Sequence, residues 1–344
     1  MKKKIIASIL IIIFLTGGLW FLQRLLMPKY QGKIVEGAMI EEYYKETEGH
    51  DVLFIGDCEV YENFSTMTLW EEYGITSYIR GSSQQLIWQS YYLLEETLKY
   101  EKPKVVVFNV LSLKYNKPQK EAYNRMTLDG MKWSMSKVND IKASMTEEED
   151  FIDYVFPILR YHSRWQELTS DDFKFLFEKE PVTVNGYYLR TDIMPQGEFP
   201  DPMPLDDYSF GENAMMYLDK MTALCKDEGI ELILIKAPIE YPYWYPEWDE
   251  QVSSYAEENG LTYINMIPLS EEIGLDMSHD TYDAGLHLNV YGAEKLASYF
   301  GQYIVDNYGL EDHRNDPKYT KIYEEKIKLY NKMIEEMNNI TEEE

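Results

Sequence analysis

The sequence predicts an α/β fold: a three-layer αβα sandwich with a central parallel sheet, carrying a helical insertion and an N-terminal transmembrane helix. Three observations predict it. Short runs such as Asp51-Val-Leu-Phe-Ile-Gly56, Lys104-Val-Val-Val-Phe-Asn109 and Ile230-Glu-Leu-Ile-Leu-Ile235 are apolar at almost every position, as strands buried on both faces are. Stretches with apolar residues at helical spacing alternate with them, which is the rhythm of βαβ units. An uncharged run from Ile5 to Leu22 precedes everything else.

The elements follow in order. Lys2, Lys3 and Lys4 stand before the apolar run, which is long enough to cross a bilayer core of roughly 30 Å. The lysines keep its amino end cytoplasmic. A cleaved signal needs a shorter apolar stretch and a small-x-small site. Thr16-Gly17-Gly18 matches that poorly, and the run continues through Leu19, Trp20 and Phe21. Residues 1–28 are expected to be an uncleaved, single-pass anchor at the cell membrane, with the domain that follows extracytoplasmic and membrane lipid as its first partner.

A strand is expected over Asp51–Gly56, a helix over Ser65–Tyr73, and a second strand over Ile75–Ile79 after the turn at Gly74. A helix over Gln84–Tyr100 follows, with Leu86, Ile87, Tyr91, Leu93, Leu94 and Leu98 at helical spacing. Pro103 opens the third strand, Lys104–Asn109. Ile230–Ile235 is the fourth and Leu261–Asn265 the fifth. Residues 111–228 fit this rhythm poorly. They hold a helical stretch over Met145–Trp165, an acidic cluster Glu147–Asp150 and a Pro/Asp/Gly-rich loop near 194–212. They read as an insertion or cap over the sheet's carboxyl edge, within an α/β domain spanning 29–310. From 311 to 344 a helix with one apolar stripe (Tyr319, Ile322, Tyr323, Ile327, Tyr330, Ile334, Met337) and an acidic tail are expected. That helix is expected to pack on its own domain rather than on a partner.

Composition bounds the function. The 344 residues carry 33 Lys+Arg against 60 Asp+Glu, a formal charge of −27, with 45% hydrophobic and 15% aromatic residues. The chain is too apolar for an acidic disordered polymer. It is also too acidic for a nucleic-acid binder, which must supply cations to phosphate. Two cysteines, Cys58 and Cys225, exclude a disulfide scaffold and a multi-cysteine zinc site. No metal and no cofactor is expected. Whether the two cysteines pair stays open.

In open α/β sheets the ligand sits beyond the carboxyl ends of the strands. There the sequence places Gly56-Asp57-Cys58-Glu59, Gly81-Ser82-Ser83-Gln84, Asn109, Lys236 and, near the end, Asp283-Ala-Gly-Leu-His287-Leu-Asn289. A nucleophile on a tight strand-to-helix turn with a distant His/Asp pair is a triad: the imidazole takes the proton and the carboxylate fixes its tautomer. Cys58, His287 and Asp283 are the candidates for catalysis. Gly81 and Asn109 are the candidates for an oxyanion hole. Against this, Cys58 reads equally as a small buried residue, and His287 as a structural histidine. Gln84, Lys236, Tyr243, Trp244 and Asn289 are candidate substrate contacts. Tyr and Trp faces in 241–248 suit a pyranose ring, although the same stretch reads as an aromatic loop packed under the cap. Lys236 reads as a substrate contact or as a cap on a local carboxylate.

These residues resemble a known family. Gly56-Asp57-Cys58 is similar to the Gly-Asp-Ser block that opens the SGNH/GDSL hydrolases, with cysteine in the nucleophilic serine's place. Gly81 falls where the second-block glycine lies. Asp283…His287-x-Asn289-x-x-Gly292 looks like the closing Asp-x-x-His block. The resemblance covers roughly 50–110 and 228–308 but not the insertion. Asp283 stands four residues before His287 where the family has three, which leaves Asp280 as an alternative orienting carboxylate. The third-block Gly-x-Asn-Asp is missing. The order of anchor and domain is similar to membrane-tethered members, the teichoic-acid D-alanylation protein and the alginate or peptidoglycan O-acetyltransferase partners. The resemblance implies acyl transfer or ester hydrolysis on O-acyl groups of a cell-envelope glycan, beside a membrane-bound O-acyltransferase. The alternative is a catalytically degenerate domain that binds glycan or scaffolds such a transferase.

Overall fold

The computed structural model describes residues 2–28, 36–177 and 181–343. The expected start of the domain at 29, and Glu344 of the acidic tail, lie outside the described residues. Five parallel strands, β1 (Val52–Gly56), β2 (Ser77–Gly81), β3 (Val105–Asn109), β4 (Glu231–Lys236) and β5 (Thr262–Asn265), form one sheet in the order β2-β1-β3-β4-β5. Strand alternation splits their side chains between two cores. Val52, Phe54, Val105 and Val107 enter one; Leu53, Ile55, Val106 and Phe108 enter the other.

The first core is closed by the helices Thr66–Tyr73, Val290–Tyr308 and Pro317–Glu343. Gly301 brings the first two together, since a Cβ there would lie 2.5 Å from the Tyr73 ring. The second core is closed by Ile87–Thr97, Glu212–Glu228 and Pro246–Asn259. The carboxyl-terminal helix lies on its own domain: Tyr323 and Tyr330 are buried, and the Tyr323 ring stacks on Trp70 at 4.0 Å.

The structure differs from the sequence reading in four places. β2 runs from Ser77 rather than Ile75, because Ile75 N–H closes the preceding helix on the Leu69 carbonyl and Thr76 O accepts from Asp51 and Val52. The helical stretch over Met145–Trp165 is broken into Phe151–Val155, Ile158–Tyr161 and a 3₁₀ turn His162–Gln166. Pro157, which has no N–H to donate, stands at the break. Glu212–Glu228, assigned to the insertion, is the crossover helix between β3 and β4, with Leu218, Met221 and Cys225 in the sheet's own core.

The fourth difference concerns the cap. The insertion's helices build a separate small core of Ile40, Leu93, Leu128, Met131, Ile141 and Tyr154 on the outer side of Ile87–Thr97. An extended stretch from 184 to 197 returns along the site end of the sheet instead. Asn185 O accepts from Ile79 N (2.9 Å), Tyr188 N donates to Tyr61 O (2.8 Å), Arg190 O accepts from Val290 N (2.7 Å) and Gly197 N donates to Ala284 O (3.1 Å). It therefore also covers β2, an edge strand whose backbone groups need partners.

The amino-terminal helix runs from Lys2 to Leu26. It is long and apolar enough to cross a membrane, and none of its apolar window is buried against the rest of the chain. Only Leu25 and Leu26 are buried.

Candidate functional site

The strand order places a topological switch between β1 and β3: the chain leaves β1 for β2 on one side and then returns for β3 on the other. The crevice at their carboxyl ends is where an open α/β sheet binds ligands. Gly56 ends β1 there. A Cβ on it would lie 2.6 Å from Val60 Cγ2 and 3.1 Å from Asn109 Cβ, so glycine lets the chain turn sharply into the short Cys58–Tyr61 helix. Asp57 caps that helix, its Oδ1 accepting from Glu59 N–H at 3.2 Å. Cys58 thus opens a helix at the mouth of the crevice, partly buried.

The Cys58 sulfur and the His287 imidazole act on each other electrostatically, the ring drawing the thiol's pKa down and the sulfur drawing the ring's up. On the other side of the ring, His287 Nδ1 lies 2.7 Å from Asp283 Oδ2, and Asp283 Oδ1 accepts the His287 backbone N–H at 2.8 Å. The four-residue spacing closes because Ala284 (φ +63°) and Gly285 (φ +97°) take left-handed conformations between them. Asp280 does not orient His287. It is buried and held by Lys295 and by His279 Nδ1, the latter at 3.0 Å. Cys58, His287 and Asp283 therefore form one line of interacting side chains, with Nδ1 on the carboxylate.

A second carboxylate faces the same ring. Glu62 Oε2 lies 3.7 Å from His287 Nδ1 and accepts a hydrogen bond from the Tyr282 hydroxyl. Burial raises the Glu62 carboxyl above its ordinary value, with His287 pulling it back. Burial also opposes the charged form of His287, but the Cys58 sulfur, Glu62 and the bond to Asp283 outweigh it and hold the ring well above its usual pKa. Burial pushes the Cys58 thiol up to about 11 against the pull of His287. The ring is thus held toward its charged form beside a thiol that burial keeps protonated, and a thiolate on Cys58 would meet an imidazolium.

Beneath Cys58 a buried polar network ties three strand ends together. Asn109 Nδ2 donates to Asp57 Oδ1 and to Glu59 Oε2, both at 3.1 Å, and its Oδ1 accepts from Ala237 N–H. Lys236 Nζ lies 2.9 Å from both Glu59 oxygens and donates also to the carbonyls of Ala237 and Ile239. Burial raises the Asp57 carboxyl to about 6, with Glu59 adding to the rise.

This geometry corrects several expectations. Lys236 is fully buried with its ammonium saturated, so it holds Glu59 and makes no contact with substrate. Asn109 spends its amide hydrogens on two carboxylates, leaving no donor for an oxyanion. Asn289 is buried as the cap of Val290–Tyr308, its oxygen accepting from Tyr291 and Gly292 and its amide bound to the carbonyls of Asp192 and His279. It is a strut rather than a substrate contact. Trp244 is buried in the second core between Phe210 and Trp248, so its face is not free for a sugar. Tyr243 remains exposed, its ring against Tyr245. Gln84 follows β2 in a left-handed conformation (φ +50°), half-buried. Gly81 pairs with Gly56 across β1 and β2, and a Cβ on it would lie 3.1 Å from the Tyr61 ring.

Sequence reasoning passed over Glu62, Tyr282, Asp57 and Glu59. Glu62 stands one helical turn after Cys58, and that spacing was the available signal. It included Tyr241 in the aromatic stretch 241–248 but passed over its partner Phe199, beside the His287 loop. Phe199 and Tyr241 stack at 5.1 Å, and Phe199 Cζ would lie 3.1 Å from a Cβ on Gly285. Among the described residues no group of three His, Cys, Asp or Glu side chains is arranged to hold a metal. No protein-family model matches the chain, and no curated protein matches it.

Proposed function

We propose that the chain is an SGNH-like acyltransferase or esterase, anchored by its amino-terminal helix at the outer face of the cell membrane and acting on O-acyl groups of a cell-envelope glycopolymer. The observation that carries this reading is the Cys58–His287–Asp283 line at the switch point of the sheet. In the reaction, Cys58 Sγ attacks the carbonyl of an acyl donor as its proton passes to the neutral form of His287, the form with a free ring nitrogen. The tetrahedral intermediate collapses to a thioester on Cys58, and His287 returns the proton to the leaving oxygen. A sugar hydroxyl or water, deprotonated by His287, then attacks the thioester and releases the thiol. Asp283 holds the ring through both halves and stabilises its charged form. The Cys58 backbone N–H, at the first position of the Cys58–Tyr61 helix, and Gly81 N–H are the donors proposed for the oxyanion. The stacked Phe199–Tyr241 pair beside the His287 loop is the surface proposed for a sugar ring.

The high pKa of the Cys58 thiol favours a second reading, a degenerate domain of the same kind that binds glycan or scaffolds a membrane-bound O-acyltransferase. One experiment separates the two. The full-length chain in detergent micelles is exposed briefly to p-nitrophenyl acetate and its intact mass is measured. One acetyl group per chain, mapped to Cys58 and absent in His287→Ala, supports acyl transfer. An unmodified Cys58 under conditions that acetylate a serine esterase overturns it in favour of the scaffold.

A further inference from the structure

We propose that the helical insertion lies on the lipid bilayer, with Phe156, Leu159, Trp165, Phe173 and Phe177 in the headgroup–acyl boundary of the leaflet from which the Lys2–Leu26 helix emerges. The inference rests on reading that helix as a membrane anchor.

Each of these five side chains is exposed, Trp165 at 66% and Phe177 at 81%. They sit within one short stretch of chain, whereas isolated exposed apolar residues are normal and grouped ones mark interaction surfaces. Their position identifies the occupant. The apolar side chains of the anchor are exposed from Ile5 to Leu22, and only its last turn, Leu25 and Leu26, is buried. That last turn is buried where the insertion meets it: the helices Ile158–Tyr161 and Ser170–Phe177 and the turn His162–Gln166 pack on the anchor. Arg164 Nη1 donates to the Leu26 carbonyl at 2.8 Å. Trp165, the next residue, is thereby held at the level where the anchor leaves the hydrocarbon.

An indole at that level has its preferred environment, apolar on one side and wet on the other. The charge pattern agrees. From Tyr154 to Gln166 the chain has no acidic residue, in a protein of net charge −27, and its two arginines offset carboxylates beside it: Arg160 pairs with Glu121, and Arg164 with Glu167 and Asp172. A strongly acidic protein approaches a bilayer carrying anionic lipid best on a face relieved of carboxylates. The insertion face is thus continuous with the anchor and apolar, with its acidic residues, Glu167, Asp171 and Asp172, confined to the stretch between Trp165 and Phe173. A lipid surface fits these properties.

The test uses the full-length chain with Cys58→Ala and Cys225→Ala, reconstituted in vesicles of phosphatidylcholine and phosphatidylglycerol. Single nitroxide labels are placed at Trp165→Cys, Phe177→Cys, Leu159→Cys, at Ile13→Cys in the anchor and at Glu257→Cys on the exposed face of a remote helix. Accessibility to oxygen, which concentrates in lipid, is compared with accessibility to a water-soluble nickel chelate. The expected result is oxygen-dominated accessibility at 159, 165 and 177, shallower than at 13, with chelate-dominated accessibility at 257. Chelate-dominated accessibility at 165 and 177 with a lipid-buried label at 13 overturns the proposal and leaves the anchor reading intact. Protection of 165 and 177 from both reagents assigns the face to a protein partner and also overturns it. A water-exposed label at 13 overturns the anchor reading, and this inference with it.

Discussion

At the scale of single residues, the site is built on carboxylates used in two ways. Asp283 and Glu62 face an imidazole and favour its charged form. Asp57 and Glu59 hold strand ends in register beneath the thiol. Lys236 is the cation bonded within this second group, with Glu59 on it at 2.9 Å, and Lys114 acts on the same carboxylates. Removing one partner of a buried pair leaves the other uncompensated, which costs about 3–5 kcal/mol. Lys236→Met is therefore expected to destabilise the chain by that amount in chemical denaturation. Adding Glu59→Gln in the same chain, which removes the orphaned charge and keeps an acceptor for Asn109, is expected to recover a large part of the loss. A Lys236→Met loss under about 1 kcal/mol would mean that Glu59 is neutral or solvated. The same arrangement explains why two strand-end residues, one expected as a substrate contact and one as an oxyanion donor, are neither. Lys236 and Asn109 occupy the right places on the sheet, but burial obliges every donor to find a partner inside the protein.

At the scale of elements, the stretch from 184 to 197 is the device that completes the site. It ties β2, the Cys58–Tyr61 helix, the 281–285 loop and the start of Val290–Tyr308 through successive backbone hydrogen bonds. Its turn depends on Gly186, which has φ +79° and where a Cβ would lie 1.9 Å from the Ile79 carbonyl oxygen. Gly186→Ala combines left-handed strain with a clash against backbone that cannot rotate away. Strain alone costs about 1–2 kcal/mol, so the total loss is expected to exceed about 2 kcal/mol. Proteolysis should become faster within 184–197 before the rest of the domain opens. Unchanged stability would mean that the stretch does not lie against β2. Nothing in the strand periodicity marked this segment, because its pairing partners are 100 residues away in both directions along the chain, a distance over which local pattern carries no information.

At the scale of the whole molecule, the sheet separates the two cysteines. Cys58 packs against the core on one face and Cys225 is buried in the core on the other, so both are free thiols. The full-length chain is expected to keep the mass of two free thiols after mild oxidation; a mass two protons lower would contradict the layer assignment. Under native conditions only Cys58 should react with iodoacetamide. The thiolate is the reactive form, and the Cys58 pKa is pushed up to about 11. Its rate should therefore rise with pH, about tenfold per unit, and level off only near that value. His287→Ala removes the group that pulls the thiol down and should shift the profile further upward. A plateau near neutral pH in the unaltered chain would instead mean that the pair rests as thiolate and imidazolium.

By itself the sequence determined the layer architecture and the five strands, and it singled out Cys58, Asp283 and His287 at strand ends. Strands buried on both faces must be continuously apolar, and an open parallel sheet presents its chemistry at strand ends, so both features are written locally. The stripe of Tyr323 and Tyr330 was legible for the same reason, as helical spacing. Only the tertiary structure decided which strand-end residues face the crevice and which are consumed as struts. It also decided that Ala284 and Gly285 close the four-residue gap to His287, that Glu62 joins the ring, and that the 184–197 stretch rather than a helical cap borders the site. Each of these depends on which donor meets which acceptor once distant segments are brought together, and a buried polar group's role is set by that partner rather than by its neighbours in the chain.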